Sequence, residues 1–403
     1  MDLRVLMVSR EYGDFIIGGA GNATTLLTKY LRLKNVDVHV LSFGDPDRNS
    51  VNDNYIAPLS SVLEESKKIT SYGRDVLLPY DIYRFTKKAR ELIRALKPDV
   101  VHVQEPYVGG LITYKNKITT IHDTSYGEIR AIKEGGLHNI QQTKKLVFYT
   151  TIGYFMEHIS LINSKMIIVP SSIVKSELVE IYDANPEKVT VIHNGVEIPR
   201  YTLSKEDAKE KIGLPENKIM VFTTAHHTHR KRLDILIIGL CMLCREKRDL
   251  CENIAVIVGG RGYLTDYLKS LSRKCGLNNI HFIGWIPRDK LQYYFMAADI
   301  YVFTSSYESA PLAILEACAY GLPIITTNTG DYALMMRDHE DALIVPRNNV
   351  ISIKNALIEL ITDEGLRKKL SINARKFAER FSWERVAEKH IVLYEDIIEE
   401  RVL

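Results

Sequence analysis

Short apolar runs alternate with amphipathic stretches along nearly the whole chain, and the alternation occurs twice. In the first half, Val- and Ile-rich runs fall at residues 4–9, 36–42, 99–104, 118–122, 166–170 and 189–193. Helical patterns lie between them, at 22–34, at 82–96 and over the long stretch 140–163. A turn signal at His193-Asn194-Gly195 and the polar segment 202–211 interrupt the rhythm. It then restarts, with strand patterns at 220–224, 254–258, 280–283, 300–303, 324–326 and 343–345 and helices beginning at Leu233, Leu264, Asp289 and Pro311. Strands apolar on both faces and separated by helices indicate parallel sheets covered on both sides. The expected fold class is α/β: two Rossmann-like, doubly wound parallel-sheet domains, residues 1–197 and 198–380, followed by a helix over 381–403 with Ser382 as its N-cap. A chain of 403 residues exceeds the usual size of one core, which agrees with two domains. Ligands of such sheets bind at the carboxyl ends of the strands, so the expected site faces a cleft between the domains.

Composition changes this picture little. The chain is 46% hydrophobic and 26% charged with a net charge of +3, and no dense Lys/Arg block argues for nucleic acid. The first strand pattern begins at Leu3, leaving no room for a signal peptide, and no uncharged run reaches the roughly 18 residues of a membrane span. These features predict a cytoplasmic protein. Five cysteines do not suggest a disulfide framework. Cys241 and Cys244 form a lone CxxC inside a helical apolar pattern and read as core cysteines. Lys144-Lys145-Leu146-Val147-Phe148-Tyr149 fits a buried helix with a basic end better than a peripheral contact with the inner membrane face.

The most informative segment is Glu308-Ser309-Ala310-Pro311-Leu312-Ala313-Ile314-Leu315-Glu316. Glu308 falls in a loop after the strand 299–303, Pro311 fits the first turn of a helix, and Gly321-Leu322-Pro323 ends it. A helix start exposes N–H groups and the positive end of the dipole, which suits a phosphate. With one acid ahead of it and another inside the helix, the layout suits a diphosphate carrying hydroxyls at both ends. Nucleotide sugars have that shape.

Other candidates are individually weaker. Gly18-Gly19-Ala20-Gly21 lies between the first strand and helix, as a phosphate-approaching loop or a plain tight turn. His122 ends the fourth strand pattern, as a ligand contact or a turn residue. His226-His227-Thr228-His229-Arg230-Lys231-Arg232 places cations where a leaving diphosphate needs them. His226 and His229 have metal-ligand spacing but no Glu or Cys nearby, and Asp45-Pro46-Asp47 reads as a turn, so no metal is expected. Gly259-Gly260-Arg261-Gly262 is either a strand–helix turn or a seat for a base, with Trp285 beside it or in the rim or core.

Taken in order, these signatures resemble the retaining GT-B glycosyltransferases of family 4. The resemblance runs nearly end to end and also includes Asp99-Val100-Val101-His102-Val103, Val191-Ile192-His193-Asn194-Gly195 and Phe381-Ser382-Trp383-Glu384. It implies that Glu316 binds the nucleotide ribose, Glu308 lies beside the donor sugar, and Leu312 and Ala313 amides contact the diphosphate. Lys231 would steady the departing phosphate, His122 would touch the transferred sugar, and the last helix would cross back onto the first domain. Two positions depart from the family. An arginine is missing from Thr223-Thr224-Ala225-His226-His227, leaving His226 or Arg230 to stand in, and Asp331 replaces the second glycine after Gly330.

The expected function is transfer of a sugar from a nucleoside diphosphate donor to a hydroxyl of a sugar, polysaccharide or lipid-linked acceptor, with no cofactor or metal. The alternatives are a nucleotide-sugar epimerase of the same architecture and a non-catalytic nucleotide-sugar-binding subunit. Nothing in the sequence indicates the oligomeric state, the base, the sugar or the acceptor.

Overall fold

The computed structural model describes residues 3–13, 19–44, 54–58, 79–135, 140–200, 203–214 and 217–401. The chain divides into two compact units, Met1–Gly195 with Trp383–Leu403, and Val196–Ser382.

The first unit is built on seven parallel strands: β1 (Arg4–Val8), β2 (Asp37–Gly44), β3 (Asn54–Pro58), β4 (Val100–Val103), β5 (Lys117–Thr120), β6 (Met166–Val169) and β7 (Val189–Val191). Their order across the sheet is β3-β2-β1-β4-β5-β6-β7. Successive side chains of a strand point to opposite faces, and β1 shows the consequence. Val5 and Met7 enter one core with Leu27, Leu31, Trp383 and Tyr394, while Leu6 and Val8 enter another with Phe43, Phe85 and Val101. Each strand therefore feeds two cores, which is why its sequence is apolar throughout rather than alternating.

The closing helix, Trp383–Ile398, belongs to the first unit. It covers β1 and the helix Gly19–Leu33, with Lys34 and Glu388 paired at 2.5 Å. Its inner face also brings polar groups into the interior. The imidazole of His102 lies between the Tyr394 hydroxyl at 2.6 Å and Thr120 Oγ1 at 2.7 Å, with the His390 ring 5.7 Å away.

The second unit repeats the plan with six parallel strands: β8 (Ile219–Thr224), β9 (Ile254–Gly259), β10 (Ile280–Gly284), β11 (Ile300–Phe303), β12 (Ile324–Thr327) and β13 (Leu343–Val345), in the order β10-β9-β8-β11-β12-β13. Alternation again divides the strands between two cores: Tyr301 and Phe303 on one side, Ile300 and Val302 on the other.

Several elements differ from expectation. The polar segment around 202–211 contains the helix Lys205–Lys211, because Ser204 and Asp207 form a capping box that satisfies its first N–H groups. The stretch 140–163 is helical but not uniform, since Tyr149–Gly153 is a π-turn between Ile140–Phe148 and Tyr154–Asn163. β3 had no recognised signal. The reading of Cys244 as an unpaired core cysteine is overturned: the short helix Arg248–Glu252 folds back and brings Cys251 into a disulfide with it, at a Cα separation of 4.9 Å.

The buried imidazoles predict an acid response. Burial lowers His390 and His122 to about 4, and it lowers His102 well below the ordinary value, with His390 and His122 adding to the effect. The folded state therefore favours the neutral rings, whereas the unfolded chain takes up protons below about pH 6.5. Stability should be complete above that pH and fall by on the order of a few kcal/mol as the pH drops from 6.5 to 4. Denaturant unfolding at pH 7.5, 6 and 4.5, with tryptophan fluorescence as readout, checks this.

Candidate active site

The strand order of the second unit reverses between β8 and β11, and the loops that follow these strands diverge from that switch point at the carboxyl ends. The two loops are tied together. Ser306 donates its N–H and its hydroxyl to the carbonyl of Arg230, at 2.8 and 3.2 Å, and Thr304 Oγ1 donates to the carbonyl of Lys231 at 2.8 Å. The turn His229–Lys231 is thereby held beside the segment that leads into the helix Leu312–Ala319.

Glu308, only 6% exposed, is the electrostatic centre of this arrangement. Lys231 Nζ pairs closely with one carboxylate oxygen, and Arg230 Nη1 lies 4.0 Å from the other. The Lys231 ammonium is also 5.6 Å from the centroid of Phe303. Burial by itself would raise the Glu308 carboxyl, but Arg230 and Lys231 outweigh it and hold the group below the ordinary carboxylate range. Where the sequence lacks the family's arginine, the structure brings Arg230 to this carboxylate and leaves the His226 side chain exposed.

Glu316 has the opposite character. Burial raises its carboxyl, and Arg288, 3.9 Å away, opposes that only in part. The helix between the two acids packs Ile314, Leu315, Ala317 and Cys318 into the core, so its orientation is fixed by burial. Pro311 stands at the N-cap, not in the first turn: its extended ψ of 110° places it just outside the helix. No side chain caps this end, and the half-buried Leu312 and Ala313 form the first turn. Uncapped N–H groups and the dipole give that turn its affinity for anions.

The loop after β12 closes over Pro311. Asp331 N–H donates to the Ser309 carbonyl at 2.8 Å. Gly330 has φ +78°, and a Cβ there would lie 2.8 Å from Pro311 Cδ and 3.3 Å from Glu308 Cβ.

Gly259 ends β9, and the crowding beyond it comes from protein backbone. A Cβ on Gly260, φ +100°, would stand 1.9 Å from the Ala225 carbonyl oxygen. His227, which sequence reasoning did not single out from its neighbours, pins the two loops: Nδ1 is 2.9 Å from Thr265 Oγ1 and Nε2 is 3.3 Å from the Gly259 carbonyl. Trp285 is 63% exposed and so not a core residue. A cavity of about 440 Å³ opens at the opposite, amino ends of β11 and β12, beside Asp299 and Pro323 and away from these residues.

In the first unit, His122 follows β5 and lines a small cavity with Gln104, Thr120, His193, Asn194 and His390. Burial lowers it to about 4, so it is a neutral imidazole at physiological pH. Gly19 opens the helix Gly19–Leu33, and the Glu11 carboxylate lies against Gly21 at that end. Gly18 and Asp45-Pro46-Asp47 lie outside the described residues. Among the described residues no group of three or more His, Cys, Asp or Glu stands together to hold a metal ion. Sequence reasoning also missed Glu157, a buried acid that accepts from Ser125 N–H at 2.8 Å and from the Tyr107 hydroxyl at 3.1 Å. Burial raises its carboxyl to about 7. An acid inside the run Tyr154-Phe155-Met156-Glu157 was its available signal.

Comparison with known proteins bears on the family and the fold. The family model for glycosyl transferases group 1 matches residues 204–377, and that for glycosyltransferase family 4 matches residues 17–200. A glycosyltransferase of Methanocaldococcus jannaschii, itself uncharacterised, is 24% identical over 98% of this chain and 99% of its own length. Among solved structures, a sucrose-phosphate synthase from Thermosynechococcus elongatus superposes with a TM-score of 0.75 at 17% identity, covering 99% of this chain and 100% of that one. HepE from Anabaena, solved in complex with UDP-glucose, gives 0.69 at 15% identity over 98% of this chain and 100% of that one.

Gly330→Ala should cost about 1–3 kcal/mol, because the left-handed backbone and the Pro311 contact both resist a side chain. Thermal unfolding against wild type measures it; an unchanged melting temperature would mean that the loop after β12 does not press on Pro311 as described.

Proposed function

The chain belongs to the group 1, family 4 glycosyl transferases of GT-B fold, and from that premise we propose that it moves a sugar from a nucleoside diphosphate donor with retention of anomeric configuration. The observation that carries the proposal is the pairing of Glu308 with Lys231 and Arg230 beside an uncapped helix start. Phosphate oxygens bring the negative charge that this helix start and these two cations suit. Glu308 holds the two cations in place through its ion pairs with them.

In the proposed reaction the bond from the anomeric carbon to the diphosphate breaks while the acceptor oxygen bonds to the same face. The departing phosphate oxygen takes the acceptor's proton, so no strong protein base is required. The protein's contribution is positioning together with stabilisation of charge on the leaving group. The Leu312 and Ala313 N–H groups hold the diphosphate, with Ser309 and Pro311 shaping that turn. Lys231 and Arg230 take up the developing charge, and Glu316 binds the ribose hydroxyls. Gly259 and His226 border the nucleotide, and Gly18 and Gly19 complete the substrate-binding set. Glu308 orients the cations and the donor sugar, and His122 contacts that sugar as a neutral imidazole. No metal is given a role.

The acceptor class is a hydroxyl of a sugar, a polysaccharide or a lipid-linked carrier. Two alternatives remain distinct by chemistry: an epimerase releases nucleotide without acceptor, and a binding subunit binds without turnover. A thermal-shift screen against nucleoside diphosphates and their sugars identifies the donor. Acceptor-dependent nucleotide release is then the expected result, and release without acceptor would exclude transfer as the main activity.

Glu316→Ala should weaken nucleotide binding, read by calorimetry. Lys231→Ala should lower kcat by about 10²–10³ while changing donor affinity less. Because Lys231→Ala also strands a buried carboxylate, Lys231→Met/Glu308→Gln should recover stability but not activity. Recovery of both would remove Lys231 from the chemistry.

No helix among the described residues is long and apolar enough to cross a membrane. Val147, Tyr154, Phe155 and Ile162 are exposed on the stretch that carries Lys144 and Lys145, a face suited to the surface of an anionic bilayer. Flotation with anionic liposomes should recover protein with the vesicles if the acceptor is lipid-linked and membrane-borne.

A further inference from the structure

β5 delivers His122 into a short loop, and Ile121-His122-Asp123-Thr124 leads straight into the helix Ser125–Gly135. A hydroxyl just before a helix can satisfy one of its first N–H groups, and Thr124 does so for Gly127 at 2.9 Å. Three side chains from later in the chain grip the same few residues. Glu177, on the helix Ser172–Glu180, accepts from the Thr124 hydroxyl at 2.5 Å. Glu157, on Tyr154–Asn163, accepts with one oxygen from the N–H and the hydroxyl of Ser125, at 2.8 and 3.0 Å. That oxygen also accepts from the Tyr107 hydroxyl at 3.1 Å, which ties in the short helix Pro106–Gly109. The Tyr182 hydroxyl accepts from Tyr126 N–H at 3.1 Å. The π-turn makes room for Ser125, since a Cβ on Gly153 would lie 2.6 Å from its Oγ.

Thr124 alone would cap this helix, so a wholly buried acid on Ser125 calls for another reason. We propose that Glu157 is a positioning residue for the transfer: through Ser125 it fixes the end of β5, and with it the place His122 takes against the donor sugar. The step from the loop to the sugar rests on the reading of His122 as a sugar contact; the grip on the loop does not. Burial gives the grip a pH dependence. It raises the Glu157 carboxyl to about 7, and among the described residues no cation offsets it. A solvated glutamate titrates near ~4.3. Opening the loop solvates Glu157, so opening becomes easier as the pH rises toward 7 and levels off above it. The titratable groups around this cluster are Tyr107 from Pro106–Gly109, Glu128 from Ser125–Gly135, Tyr149 from the π-turn, Glu177 and Tyr182, and Tyr154 and His158 from the helix of Glu157 itself. Burial, with Glu157 adding to it, raises the Tyr107 and Tyr182 hydroxyls, so both stay protonated. His158 packs on the Tyr182 ring, with centroids 5.1 Å apart, and is therefore the control position.

The test follows amide hydrogen exchange over residues 121–127 by mass spectrometry on the full chain, at pH 5.5, 7 and 8, corrected for the intrinsic exchange rate at each pH. Glu157→Gln keeps an oxygen that can accept from Ser125 but cannot ionise. The buried imidazoles respond to acid alike in both proteins, so the ratio of wild-type to Glu157→Gln protection isolates Glu157. That ratio should fall by about tenfold from pH 5.5 to pH 8, and His158→Gln should show the same fall as wild type. A ratio that does not change with pH would overturn the proposal, as would loss of the dependence in His158→Gln. With donor and acceptor in hand, Glu157→Leu should lower kcat by about tenfold or more while changing the donor KM much less, and Glu157→Gln should restore kcat. Wild-type kcat in Glu157→Leu would show that the grip does not reach His122, and would overturn the proposal too. The exchange measurement needs no substrate and no Leu variant. Absence of any turnover in wild type therefore counts against the transferase reading, while the exchange ratio separately tests the grip of Glu157 on the loop.

Discussion

A carboxylate buried at the end of β11 sets the terms for the loops around it. Glu308 can remain charged at 6% exposure only because Lys231 and Arg230 sit against it. Those cations come from the turn after β8, so neutralising one acid draws two loops together at the point where strand order reverses. The backbone bonds from Ser306 and Thr304 to that turn reinforce the same juxtaposition. Once the loop is fixed, Pro311 and the start of Leu312–Ala319 are fixed with it, and Gly330 has to be a residue without a side chain. Charge, loop position and anion-binding helix end are thus parts of one constraint.

A second constraint comes from the sheets. Parallel strands lie buried on both faces, so each strand supplies two cores and each core needs its own helical cover. In the first unit part of that cover arrives late in the chain, as Trp383–Ile398. It encloses His102 together with Tyr394 and Thr120, and full burial keeps that imidazole neutral. The same helix that completes an apolar core therefore also creates an acid-sensitive polar seam beneath the strand ends. His122 shares the small cavity there with His390.

The two departures from the family pattern have structural counterparts. With the arginine missing, the nearest other cation described beside the carboxylate that Lys231 holds is Arg230, 4.0 Å from it and within the turn itself. Asp331 follows Gly330 as a buried residue whose N–H bonds to Ser309. Only the first of the two glycine positions needs positive φ, which is why the second can carry a side chain.

The fold was largely legible in the sequence because it rests on periodicity. Short doubly apolar runs such as residues 254–258 and 300–303, bounded by turn residues, fit interior strands, and the helices between them suit a parallel arrangement. The order and spacing of Glu308, Pro311, Glu316 and the His226–Arg232 cations were legible for the same reason, since motif residues lie where strand ends must be. What the chain order could not state were contacts between residues far apart in it. Arg230 rather than His226 at Glu308, His227 as the pin between two loops, and Glu157 as the acceptor for Ser125 and Tyr107 depend on distances fixed only when sheets and helices pack. Period and turn chemistry are local properties of a sequence. Charge pairing and burial depend on which distant segments meet, and only the tertiary structure decided that.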